Sequence, residues 1–366
     1  LGNFEFLINP IFFSIIIGSL LFLLGISPVI LHSINFSDIG FGAEDLSSEC
    51  GNKFCLLGYR RSTLTGELIG PYGLGATILS LSVTLAFGVG LGIFYRLRSK
   101  NVIKIRRRAE KLELEFASAL FQLGNRLGDG LPAEIAFGKV ANVMQGTVSG
   151  SFFQLVSANI GKLGMSIKKA IFDPVHGALI SFPSNLIESS MKVLIQSVKK
   201  GPVIAAQALT NVSRYIKEIH SVNERLRDLM ADIISDMNSQ IKFLTPAIAG
   251  IVVGITSMVT EILGKLGTQL QQITTGATEQ AGLVSMFGDG IPTFYFQIIV
   301  GLYIVQITYI LTILVNGIEN GADKLNENYS LGNNLIRSTI LYCFISLAVI
   351  LLFNIIASQI LVTSFS

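Results

Sequence analysis

The sequence predicts an all-α, polytopic membrane protein with about five transmembrane helices and a separate bundle of about six helices. Three observations carry this. Half of the 366 residues are hydrophobic and only 14% are charged, with a mean hydropathy of +0.61; soluble domains carry about a quarter charged residues. Five almost charge-free runs, at 7–31, 73–95, 243–263, 293–316 and 336–361, reach the roughly 20 residues that cross a hydrocarbon core. Of the 27 Lys and Arg, 21 fall between Arg96 and Lys242. A large soluble core would have to bury all five runs, which is the weaker reading.

The chain opens on Leu1 rather than Met, which predicts a segment before it. Leu7–Leu31 lacks a basic flank and is too long for the apolar core of a signal peptide, so it reads as a first span. Residues 1–95 then hold two spans joined by loop 32–72. That loop reads as irregular, with Gly40, Gly42, Gly51, Gly58, Gly66, Gly70 and Pro71. Cys50 and Cys55 could pair in an oxidising compartment. A metal is the alternative, but two thiols without a nearby His do not complete tetrahedral zinc. Asn35-Phe36-Ser37 is a short glycosylation sequon of low specificity.

Arg96, Arg98, Lys100, Lys104, Arg106, Arg107 and Arg108 follow the second span directly. Clustered basic residues at a span end mark the inner face, so 96–242 is expected in the cytoplasm and loop 32–72 outside. Loop 264–292 is then outside, loop 317–335 inside and the C-terminus outside. The third to fifth spans fill 243–366. Gly250 and Gly254 have GxxxG spacing, which reads as close packing within one bundle before it reads as a dimer contact. Glu261, the one acid of the third span, falls near its outer end.

Within 96–242 no stretch alternates like a strand. A first helix covers 102–127, with Leu112, Phe116, Ala119, Leu120, Leu123 and Leu127 on one face. A second begins near Pro132, whose missing N–H is harmless in a first turn. A third covers 148–162, a short fourth follows the N-cap candidate Ser166, and a fifth covers 183–199. The sixth opens at Gly201-Pro202. It carries Val212, Tyr215, Ile219, Val222, Leu226, Leu229 and Ile233 in 3–4 alternation, a coiled-coil-type stripe.

Glu224, Asp228, Asp232 and Asp236 recur every four residues on another face of that helix. At 1.5 Å per residue, Asp232 stands about 16 Å from the membrane edge near Phe243. Arg107 lies a similar distance past the second span. The first and sixth helices are therefore expected to run side by side at the membrane neck, with Asp228, Asp232 and Asp236 facing Arg106, Arg107 and Arg108. A solvated face and a partner-docking stripe are the competing readings.

Three pieces repeat a form: Gly130-Leu-Pro132-Ala-Glu-Ile-Ala136, Gly164-Met-Ser-Ile-Lys-Lys-Ala170, and Gly201-Pro-Val-Ile-Ala-Ala-Gln-Ala208. Each has a turn glycine, a helix start and a small residue suited to a helix crossing. The first two lie in Leu127-Gly-Asp-Gly-Leu-Pro-Ala-Glu-Ile-Ala-Phe137 and Gly161-Lys-Leu-Gly-Met-Ser-Ile-Lys-Lys-Ala-Ile171. This order resembles the F domain of type II secretion, shared by platform proteins of type IV pili, tight-adherence pili and archaella. The resemblance covers about 110–240, and the flanking and C-terminal spans look most like the archaeal branch.

The resemblance implies a non-enzymatic platform in the cell membrane. A cytoplasmic hexameric secretion ATPase would engage the helical domain, and pilin- or archaellin-like subunits would be extruded. It transfers no catalytic, cofactor-binding or metal residues. Gly130, Pro132, Ala136, Gly164 and Ala170 map as structural turns, and a homodimer stays open. The residues agree. There is no GxxxxGK[ST] phosphate loop, and His32, His176 and His220 are far apart. The basic block adjoins a span, which fits membrane lipids better than nucleic acid. A transporter or channel component, or a signalling protein using the sixth helix as transmitter, are the alternatives.

Overall fold

The computed structural model describes residues 10–33, 58–61, 68–273 and 292–363. In chain order the helices are α1 (Pro10–Ser33), α2 (Leu74–Gly128), α3 (Ala133–Val143), α4 (Val148–Leu163), α5 (Ile167–Phe172), α6 (Ala178–Ser181), α7 (Asn185–Val198) and α8 (Pro202–Ser239). A π-turn (Gln240–Leu244) leads to α9 (Thr245–Ile273), followed by α10 (Thr293–Asn320) and α11 (Lys324–Thr363). The protein is all-α, and among the described residues five helical stretches are long and apolar enough to span a bilayer. Cys50, Cys55 and the Asn35 sequon lie outside the described residues.

Three expectations need correction. Loop 32–72 is not wholly irregular: β1 (Gly58–Arg61) and β2 (Leu68–Tyr72) pair antiparallel, with Arg60 opposite Ile69 and Arg61 opposite Leu68. The second span does not stop before a new helix, because α2 runs unbroken for 55 residues. Loop 317–335 shrinks to a tight link, since α11 starts at Lys324. The Asp323 carboxylate accepts from the backbone N–H groups of Leu325 and Asn326 at 3.0 and 3.2 Å. It thereby supplies the acceptor that a helix start requires.

The chain divides into two compact units, Leu1–Lys100 with Asp232–Ser366, and Asn101–Ala231. The second is narrower than the expected 96–242 block, because the end of α8 clusters with the spans.

In the spanning unit, helices meet through small and polar residues, the contacts that replace hydrophobic drive inside a bilayer. Gly250 of α9 lies against Ile345 and Ser346 of α11, and Gly254 against Val349. The GxxxG pair therefore serves contacts within one bundle. Gln297 of α10 is fully buried. Its carbonyl side-chain oxygen accepts from Ser80 Oγ at 2.7 Å, and its amide donates to Ser346 Oγ at 3.3 Å. Tyr342 Oη donates to the Gln297 backbone carbonyl at 3.3 Å. On α1, Ser14 Oγ donates to the Gly90 carbonyl of α2 at 2.5 Å.

The Asn101–Ala231 unit has its own core. The face expected on the first helix is buried there: Leu112, Phe116, Ala119, Leu120, Leu123 and Leu127. Phe116, Phe137, Phe152 and Phe153 stack around it with ring centroids 5.4–6.1 Å apart, a geometry worth about 0.5–1.5 kcal/mol per pair beyond area burial. The unit counts one helix more than expected, because the four-residue α6 forms inside the 173–182 stretch.

Candidate functional site

The repeated turns are local devices that place helix starts and bury alanines. Gly130 takes φ +83° and Gly164 takes φ +62°, the left-handed region that strains other L-residues. Gly164 ends α4, its N–H donating to the Asn159 carbonyl. Two residues after each glycine stands the N-cap of the next helix. Pro132 is the N-cap of α3 rather than its first helical residue, and its ring removes a backbone donor that would lack a partner there. Ser166 caps α5, its hydroxyl accepting from Lys169 N–H at 3.5 Å. Ala136 and Ala170, six residues after the two glycines, are both fully buried.

Sequence reasoning missed the side chain that ties the second turn to the next loop. Asn159 is 6% exposed, and its amide donates to the carbonyls of Ala170 at 3.2 Å and His176 at 2.7 Å. The 173–177 loop is organised by Asp173, whose carboxylate accepts from Val175 and His176 N–H at 2.8 and 2.9 Å. Those two bonds hold its pKa below the ordinary 3.8. The legible signal was Asp173-Pro174, a turn-forming pair. Nothing in the sequence flagged Asn159, whose role depends on two carbonyls distant in the chain.

The α2 and α8 helices pack antiparallel at 117–128 against 205–213, away from the neck stretch of Arg106–Arg108 and Asp228–Asp236 on both helices. Ser213 Oγ donates to the Ala117 carbonyl at 2.7 Å. A Cβ on Gly124 would lie 3.2 Å from the Ala206 carbonyl oxygen, so α8 approaches the α2 backbone closely here. The buried face of α8 is Ala205, Leu209, Ser213 and Ile216. It is not the predicted 3–4 stripe. Below Val212, which is half-buried, that stripe is exposed: Tyr215 by 64%, Leu229 by 77%, with Ile219, Val222, Leu226 and Ile233 also open. The two faces lie roughly 100° apart at about 100° per residue.

The charged candidates are placed as follows. Arg106 is half-buried on α2, its guanidinium 4.0 Å from Glu113. The Glu113 carboxylate also accepts from Ser184 Oγ, the N-cap hydroxyl of α7, at 2.5 Å. Arg107 and Arg108 are exposed, as are Asp228, Asp232 and Asp236 on α8. Asp228 shares the Asn101–Ala231 unit with the arginines, whereas Asp232 and Asp236 belong to the spanning unit. Among the described residues, no group of three or more His, Cys, Asp or Glu could hold a metal ion. His176 is exposed in the 173–177 loop, and His220 is half-buried on α8.

No protein-family model matches the chain, and no curated protein or solved structure matches it either.

Proposed function

We propose that this chain is the membrane platform of a type II secretion, type IV pilus or archaellum-like assembly machine. Its Asn101–Ala231 unit would lie in the cytoplasm and take the stroke of a hexameric secretion ATPase, while the spans guide pilin- or archaellin-like subunits outward. One observation supports this above the others. Both resemblance motifs fold into the same device: a left-handed glycine (Gly130, Gly164), a helix start two residues on (Pro132, Ser166) and a fully buried alanine (Ala136, Ala170). The motif residues are thus ones that shape the domain, as a resemblance carried by structural turns requires. The exposed apolar stripe of α8, flanked by Asp228, Asp232 and Asp236, offers a docking face to the ATPase.

The test is co-purification from mild detergent of the tagged chain with a hexameric ATPase bearing a phosphate loop. Leu226→Ser/Leu229→Ser should release the ATPase while leaving helix content unchanged. Failure to retain such an ATPase with the well-folded parent chain would overturn the platform reading. Retention by the double variant would remove the α8 stripe as its docking face.

A further inference from the structure

The spanning unit carries a pocket that the platform reading does not use. It is open, about 650 Å³ in volume, and lined by Arg96 of α2, Lys242 of the π-turn, and Asn333, Arg337, Ile340 and Phe344 of α11, with Asn334, Ile336 and Leu341 of the same helix. Three cations therefore converge on one concavity whose lining contains no Asp or Glu. None of the three takes part in an ion pair among the described residues.

Two contacts bring the segments that carry the basic residues together. Gly332 of α11 lies so close to Arg96 that a Cβ there would stand 2.6 Å from the Arg96 nitrogen. A larger residue would push α2 and α11 apart and open the cluster. Ser338 Oγ donates to the Ile241 carbonyl at 2.5 Å, so the residue after Arg337 is bonded to the residue before Lys242. These contacts bring the backbone at all three basic residues to the same rim, from which their side chains line one pocket.

The rest of the lining defines the ligand. Asn333, Arg337, Ile340, Leu341 and Phe344 follow one face of α11. Arg337 and Phe344 are separated by about 10 Å of helix rise. That face passes from amide and guanidinium to apolar side chains, and Phe344 is 70% exposed. A free inorganic anion would use the cations and leave the apolar shelf without a role. A phospholipid uses both: basic pockets between helices at the inner face bind anionic headgroups. We propose that this pocket binds one anionic phospholipid, its phosphate held by Arg96, Lys242 and Arg337 and an acyl chain laid along Ile340 and Phe344.

The full chain in mild detergent is titrated with dioleoyl phosphatidylglycerol, dioleoyl phosphatidylcholine or inorganic phosphate, and bound copies are counted by native mass spectrometry. One phosphatidylglycerol should be retained where phosphatidylcholine of the same chains is lost. Each basic residue near an anionic surface is worth about a factor of five in affinity. Arg96→Gln/Lys242→Gln/Arg337→Gln should therefore weaken binding on the order of a hundredfold, and Arg337→Gln alone about fivefold, which keeps the test valid should the triple variant fold poorly. Arg98→Gln/Lys100→Gln/Lys104→Gln removes equal charge from the same membrane edge outside the pocket and should leave the retained lipid in place. The proposal is overturned by equal retention of the two lipids, by equal losses in the two triple variants, or by parent-like binding in Arg337→Gln. Displacement of the lipid by equimolar inorganic phosphate would also overturn it, since the site would then be a free-anion site. None of these outcomes bears on ATPase retention, so this proposal and the platform reading fail separately.

Discussion

Ser338 Oγ donates to the backbone carbonyl of Ile241 at 2.5 Å, joining α11 to the π-turn between α8 and α9. A π-turn shifts the hydrogen-bond pattern of a helix by one residue and loosens the local ladder. Here a serine from a neighbouring helix donates to one of its carbonyls. Ser338 is 1% exposed and Ile241 fully buried, so water does not substitute.

Ser338→Ala should therefore destabilise the spanning unit by about 0.6–1.7 kcal/mol, the range found for hydrogen bonds between membrane helices. Unfolding by SDS titration, followed by far-UV circular dichroism in mixed micelles, measures it. Parent-like unfolding would mean that the π-turn stands without this bond.

Asn159→Ala should cost about 1–3 kcal/mol, because it leaves the buried carbonyls of Ala170 and His176 without their donor. The loss should appear as a lower thermal midpoint. It should also appear as faster hydrogen exchange across 167–177, the stretch that the amide ties to α4.

The two faces of α8 predict opposite responses to truncation. Leu209 is fully buried, and Leu209→Ala should cost about 2–5 kcal/mol. Leu229, at 77% exposure, should tolerate Leu229→Ser within about 0.5 kcal/mol in the isolated chain. A large destabilisation by Leu229→Ser, measured by the same thermal melts, would show that the stripe is packed even without a partner.

The Asp173 carboxylate is held below its ordinary pKa of 3.8, first by the His176 N–H and next by that of Val175. A lowered folded-state pKa contributes stability that is present above the unfolded value and is lost as pH falls through the folded one. Parent and Asp173→Asn should therefore differ most above about pH 4 and converge toward pH 2. Thermal midpoints recorded from pH 2 to pH 6 decide this; a gap that does not narrow with acid would remove the carboxylate as its source.

The spans and the core face of the first helix were legible because both depend on long periodic or charge-free runs. The β-ribbon was not. Gly58–Arg61 and Leu68–Tyr72 are too short and too glycine-rich to show alternation, and their pairing is a relation between segments. The start of α11 was hidden by the polar run 324–334, which resembles a loop until Asp323 is seen as its cap. At α8 the sequence shows the apolar stripe that lacks a partner. The buried face, with Ala205 and Ser213 among its members, is too small and polar to register as hydrophobic periodicity. In the candidate site the turn residues were readable, since glycine, proline and serine act locally. Asn159 and the grouping of Arg96, Lys242 and Arg337 required knowing which helices are neighbours.

The π-turn at Gln240–Leu244 also acts as a phase insertion. One extra residue advances the angular count by about 100°, so the residues following it are out of step with the heptad count of α8. A face tuned for water and one tuned for lipid can thus share a helical rod without sharing a ridge. Deleting one residue from 240–244 would restore a simple α-helix and leave the composition nearly unchanged. It would also turn either Gly250 and Gly254 away from α11 or the end of α8 away from its present bearing. Length at this turn should consequently be far less tolerant of change than residue identity.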